Sequence, residues 1–198
     1  MPAEVLFYFF QHKNAQVRLR FQIVFQCAPL LKGMRVSCGI MLENSLYYGL
    51  ESVLKDTGIT YKKLLETGDR IMVLFYREKE LGEYLNRIGT RSFLRDYGYE
   101  EMGLSKMLDR LVMRAALFAE KQIGFPHEIG IFLGYPLEDV KGFIENEGKR
   151  YVLSRYWKVY SDPARAEWTF HQYDEAKNRA VNEFLTGMNI RGIIKNKL

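Results

Sequence analysis

Few side chains in this sequence have the type and spacing that chemistry requires, and each has a plain structural reading beside it. Cys27 opens the segment Cys-Ala-Pro-Leu-Leu-Lys-Gly at residues 27–33. Only a thiolate attacks, so a reactive cysteine needs a cation, an imidazole or a helix N-terminus to lower its pKa. Lys32 and the three histidines are the groups that could do so. His127, next to an apolar segment, is the candidate base of a thiol-dependent enzyme built on Cys27. The competing reading is a buried cysteine packing as a small hydrophobe. His12, His127 and His171 lie far apart, and Cys27 and Cys38 lack the Cys-x-x-Cys spacing of a zinc site, so no metal is expected.

A second group of residues suits recognition. In Arg-Tyr-Val-Leu-Ser-Arg-Tyr-Trp-Lys-Val-Tyr, residues 150–160, strand alternation places Tyr156, Lys158 and Tyr160 on one face with Val152 and Ser154. Trp157 falls on the other. Two tyrosines flanking a lysine can stack on a flat ligand, an exposed base or a partner's side chains; an ordinary amphipathic face explains them equally well. Gly134-Tyr135-Pro136 ends an apolar run and leads into Leu-Glu-Asp-Val, the start of a helix whose free N–H groups could hold an anion. Glu138 and Asp139 already complement that helix dipole, and no P-loop or dinucleotide glycine spacing is present. The candidate recognition surface is therefore Tyr135, Tyr156, Trp157, Lys158 and Tyr160.

The elements that must position these residues follow from hydrophobic period. Residues 17–27 carry apolar side chains at the odd positions, the period of a half-buried strand, although Val17, Phe21, Val24 and Ala28 also share a helical face. Residues 34–42 read as a short strand, followed by a helix capped at Asn44 or Ser45 and stopped at Gly58. Thr60 caps a brief helix through Leu65, and Gly68-Asp69 turns the chain into Arg-Ile-Met-Val-Leu-Phe-Tyr. That continuous apolar run predicts an interior strand covered on both faces. Two short helices and a longer one from Ser105 to near Gly124 come next. Glu128–Leu133 reads as a buried strand, with Pro136 at the first position of the following helix. The last long helix starts at Asp162-Pro163 and stops at Gly187.

Cys-Ala-Pro-Leu-Leu-Lys-Gly, Phe-Leu-Gly-Tyr-Pro-Leu-Glu-Asp-Val-Lys-Gly-Phe-Ile at 132–144 and the stretch 156–173, in this order and at these distances, carry a resemblance. From about Phe21 to Tyr173 the chain resembles an uncharacterised bacterial family, domain of unknown function 3793, found mainly in anaerobic Gram-positive bacteria. The resemblance implies a small cytosolic bacterial protein and brings no assigned activity. Family members often carry histidine where this chain has Gln26, and a further cysteine in the last helix, where this chain reads Glu-Ala-Lys-Asn-Arg-Ala.

Composition narrows the remaining choices. The 198 residues fit one domain, 1–198, able to hide roughly 70% of its unfolded surface. Hydrophobic residues make up 47% and charged residues 27%, far from a disordered composition. No apolar run approaches the roughly 20 residues of a membrane helix, and no secretory signal is apparent, so a cytoplasmic protein is expected. The formal net charge of +5 is dispersed; Lys106, Arg110 and Arg114 make one mild stripe, too sparse for specific nucleic-acid binding. Strands alternating with helices predict an α/β or mixed α+β fold, with a single central sheet covered by helices. The function that fits best is binding of a small ligand or a protein partner, with no cofactor specified. A thiol-dependent enzyme and weak nucleic-acid binding through the basic aromatic strand are the alternatives.

Overall fold

The computed structural model of the chain describes residues 3–196. In chain order its elements are α1 (Ala3–Phe10), α2 (Ala15–Leu31), β1 (Ser37–Glu43), α3 (Asn44–Tyr47), α4 (Leu50–Leu54), β2 (Thr60–Thr67) and β3 (Arg70–Tyr76). There follow α5 (Glu78–Leu85), α6 (Ile88–Arg95), α7 (Leu104–Ala119), α8 (Ile129–Phe132) and α9 (Leu137–Glu145). The chain ends with β4 (Leu153–Ser154), β5 (Lys158–Val159), α10 (Pro163–Leu185) and α11 (Ile190–Lys195). The fold is mixed α+β. A three-stranded antiparallel sheet in the order β1-β3-β2 is covered by helices on both faces, and β4 and β5 form a separate hairpin.

The central strand explains why its sequence is apolar throughout. Ile71, Val73 and Phe75 enter the core formed with α2 and α10, while Leu74 and Tyr76 enter a second core against α5, α7 and α8. A strand with cores on both sides has no polar face. Gly68 and Asp69 make the two-residue turn that pairs Thr67 with Arg70, with Gly68 at φ 60°.

Four local expectations are corrected. Residues 17–27 form helix, not strand. Asn14 caps α2 by accepting from the amides of Gln16 and Val17, and the helix is buried nearly all round from Phe21 onward. A helix hidden on every side loses its polar stripe, so residue alternation imitates a strand. The buried Gln22 spends its side-chain amide on the carbonyl of Met41 at 3.0 Å. Pro29 sits inside the last turn of α2, and Arg77 donates to the carbonyls of Leu30 and Leu31 at 3.3 Å each. Thr60–Leu65 is an edge strand of the sheet, with its register interrupted between Lys63 and Leu65.

The apolar run at 128–133 is one helical turn, α8, with Ile129, Gly130, Ile131 and Phe132 all buried. Short buried helix and buried strand cannot be separated by periodicity. The carbonyls leaving α8 are received by β1 and the residues before it: Ser37 Oγ donates to Phe132 and Arg35 donates to Leu133. Gly134 then reverses the chain at φ 75°, a conformation that an L side chain rarely adopts.

The stretch 150–160 is a tight hairpin instead of one long strand. Leu153 pairs with Val159 and Ser154 with Lys158, which leaves Arg155, Tyr156 and Trp157 as the turn. The predicted division of Tyr156 and Trp157 onto opposite faces therefore fails: both rings pack against Phe170 of α10. The expected long helix from Asp162 is present, with the Asp162 carboxylate accepting from the amide of Arg165 at 3.0 Å. No helix among the described residues is long and apolar enough to cross a membrane.

Candidate functional site

The hairpin is seated by α9. Gly142 lets it approach closely: a Cβ there would stand 2.5 Å from the Cβ of Tyr160. Three residues earlier, one helical turn, Asp139 reaches the same hairpin. Its Oδ1 accepts from the amides of Tyr160 and Ser161 at 2.8 and 3.0 Å and from Ser161 Oγ at 2.9 Å. Its Oδ2 accepts from the indole Nε1 of Trp157 at 2.7 Å. Asp139 is 3% exposed, so these four donors replace the water that the carboxylate has lost.

Trp157, held in this way, packs edge-on against Phe170, with ring centroids 4.4 Å apart, and stacks on Tyr135 at 5.8 Å. Tyr135 is fixed from its other sides. Its carbonyl accepts the hydroxyl of Tyr84, its amide donates to Gly130 at 3.0 Å, and the Arg35 guanidinium lies 5.5 Å from its ring. Burial raises the pKa of the Tyr84 phenol to about 12.

Between these rings and α8 lies a cavity of ≈240 Å³. Tyr135, Trp157, Ile129, Val140 and Phe143 line it, together with Phe125, His127 and Lys158. Phe118, Phe125, His127 and Phe143 form a chain of rings with successive centroids 5.2, 5.2 and 5.5 Å apart. The Lys158 ammonium stands 5.5 Å over Phe143 and 4.9 Å over Tyr151, and donates to the carbonyl of Gly148 at 2.7 Å. The Nδ1 of His127 is shielded from solvent and has no hydrogen-bond partner among the described residues. Apolar walls with a few fixed polar groups are what a small-molecule site requires.

Four of the residues singled out in the sequence, His127, Tyr135, Trp157 and Lys158, thus come together around one cavity. The other three do not join them. Tyr156 turns to α10, where its hydroxyl donates to Asp174 at 2.8 Å and its ring meets Phe170 and Tyr173. Tyr160 packs over Gly142 with a buried hydroxyl that lacks a partner among the described residues. Cys27 lies in the core between α2 and the sheet, 1% exposed, and is not among the residues lining the cavity with His127. The neighbouring Cys38 thiol and burial push the Cys27 thiol well above the ordinary cysteine range. Lys32, the cation nearest it in sequence, is committed elsewhere: its ammonium bonds Glu183 at 2.6 Å and the carbonyls of Ile193 and Asn196 at 3.0 and 2.7 Å.

The basic stripe of α7 is also largely engaged. Arg110 donates twice to the carbonyl of Tyr97, at 2.9 and 2.8 Å, and Arg114 bonds the buried carboxylate of Glu128. Among the described residues no three His, Cys, Asp or Glu side chains gather as a metal-binding group.

Sequence reasoning missed Phe125, Val140 and Phe143, whose side chains carry no chemical signal of their own. It also read Asp139 only as a partner of the helix dipole. The clue to its larger role was its place one turn ahead of Gly142, the glycine against which the hairpin packs.

Comparison with known proteins adds a family. The family model described as a protein of unknown function, DUF3793, matches residues 23–194. Neither a curated protein nor a solved structure matches the chain.

Proposed function

The chain belongs to the DUF3793 family of proteins of unknown function, and on that premise we propose that it is a binding module that takes a small, flat, largely apolar ligand. The ligand lies in the cavity between α8, α9 and the β4–β5 hairpin. One observation carries this reading: His127, Tyr135, Trp157 and Lys158, drawn from three separate segments, border a single concave aromatic cavity. Its volume, ≈240 Å³, lies just below the roughly 300–1,000 Å³ of drug-sized sites and suits a ligand of one or two rings. Preorganisation supports the same reading. Asp139 holds the Trp157 indole, Tyr84 holds the Tyr135 carbonyl and Arg35 lies against the Tyr135 ring, so a ligand would meet ordered walls and would not have to order them.

Titration calorimetry with naphthalene-2-carboxamide, a neutral two-ring probe, tests the proposal against the Val140→Phe variant, which adds a ring to the cavity lining. Saturable binding to the wild type, weakened at least tenfold in Val140→Phe, is the expected result. Equal binding by both proteins, or none by either, contradicts it.

A further inference from the structure

We propose that the ligand of this cavity is an aromatic anion, with its ring between Tyr135, Trp157 and Phe143 and its carboxylate, or a similar oxyanion, on Lys158. This assignment rests on the reading of the cavity as a ligand site. An ammonium has three N–H donors, and the protein uses one of those on Lys158, for the carbonyl of Gly148. Lys158 takes part in no ion pair among the described residues. The aromatic faces of Phe143 and Tyr151 attract the cation but offer its N–H groups no oxygen.

His127 and Lys158 flank the same ring: the imidazole centroid is 5.5 Å from that of Phe143, and the ammonium is also 5.5 Å from it. An oxyanion beside Phe143 can take a free donor of Lys158.

A cationic ligand would find ring faces here, but it would also meet the Lys158 charge, and Asp139, the carboxylate in the lining, is committed. Both of its oxygens already accept hydrogen bonds, from Trp157, Tyr160 and Ser161. Drawing it toward a ligand would release the hairpin that forms the wall. The geometry thus favours anion over cation, and a carboxylate over its neutral amide.

Three probes of one shape test the assignment: naphthalene-2-carboxylate, naphthalene-2-carboxamide and 2-naphthylmethylammonium. Their dissociation constants are compared in wild type and Lys158→Met by titration calorimetry at low salt. The expected order in wild type is carboxylate tighter than carboxamide by about tenfold, the scale of one charge-assisted hydrogen bond, and carboxamide tighter than the ammonium. In Lys158→Met the carboxylate preference over the carboxamide should fall to about twofold or less, with saturable carboxamide binding retained as the sign that the cavity is intact. Amide and carboxylate binding equally to wild type would overturn the anion assignment and leave the cavity a ligand site. A preference that survives in Lys158→Met would overturn the role of Lys158. Tightest binding by the ammonium reverses the sign of the proposal, and failure of all three probes removes it together with the underlying reading.

Discussion

Asp139 holds Trp157 in place: the indole Nε1 donates to Oδ2 at 2.7 Å, while Oδ1 takes the amides of Tyr160 and Ser161 from the same hairpin. A single carboxylate in the first turn of α9 thereby fixes both the position of the hairpin and the ring that walls the cavity. Replacing it strands several buried donors at once, each costing roughly 1–3 kcal/mol. Asp139→Ala should lower stability by about 3 kcal/mol or more in urea melts, and Asp139→Asn by less, since one oxygen remains. A loss under about 1 kcal/mol for Asp139→Ala would mean that the hairpin is seated by packing alone.

Tyr156 and Tyr160 should behave differently from each other. Tyr156 packs on Phe170 and Tyr173 and is only half-buried, so Tyr156→Ala should cost about 2 kcal/mol, below the 3–5 kcal/mol of a fully buried aromatic. Tyr160→Phe removes a buried hydroxyl that lacks a partner among the described residues and should leave stability unchanged or raise it by about 1 kcal/mol. Thermal melts of the two variants separate these outcomes. A marked loss in Tyr160→Phe would show that the hydroxyl is bonded in solution.

What could be read in the sequence depended on how each element is buried. β3 was legible because cores on both faces leave it no polar side, and α7 and α10 because each keeps a solvent face. α2 and α8 were not legible: once helical residues are buried all round, the 3.6-residue period disappears, and chance alternation takes its place. Three of the cavity residues, Tyr135, Trp157 and Lys158, were legible because aromatic and basic side chains cluster next to Gly-Tyr-Pro and in the hairpin segment. The faces of that segment were misassigned because a three-residue turn, Arg155–Trp157, resets the alternation. The apolar walls supplied by Val140 and Phe143 arise only when α9 folds over α8.

Cys27 offers a test of reactivity that needs no ligand. Only its thiolate would alkylate, and both the neighbouring Cys38 thiol and its burial oppose ionisation. Iodoacetamide at pH 8 should leave Cys27 unmodified in the native protein and modify it only once urea unfolds the chain, as followed by mass spectrometry with Cys27→Ala as control. Rapid native alkylation would restore a nucleophilic role.

Tyr84 gives the molecule an alkaline limit. Its pKa is raised by burial to about 12, above the ordinary tyrosine value of 10.0, so the folded state favours the neutral phenol that donates to the Tyr135 carbonyl. The associated stability is fully present below pH 10 and is lost as pH rises through about 12. Wild type should therefore lose stability relative to Tyr84→Phe across that interval, with phenolate absorbance near 295 nm reporting the ionisation. Parallel pH profiles for the two proteins would place the Tyr84 hydroxyl outside this linkage.

The central claim, that the cavity beside Trp157 takes a flat ligand, is tested most directly by the two tryptophan indole signals. Trp157 lines the cavity, whereas Trp168 on α10 is 67% exposed, and Trp168→Phe assigns the two ¹H–¹⁵N indole cross-peaks. Titration with naphthalene-2-carboxylate should shift the Trp157 indole peak saturably and leave the Trp168 peak in place. An unmoved Trp157 peak, or equal drift of both without saturation, would contradict the account.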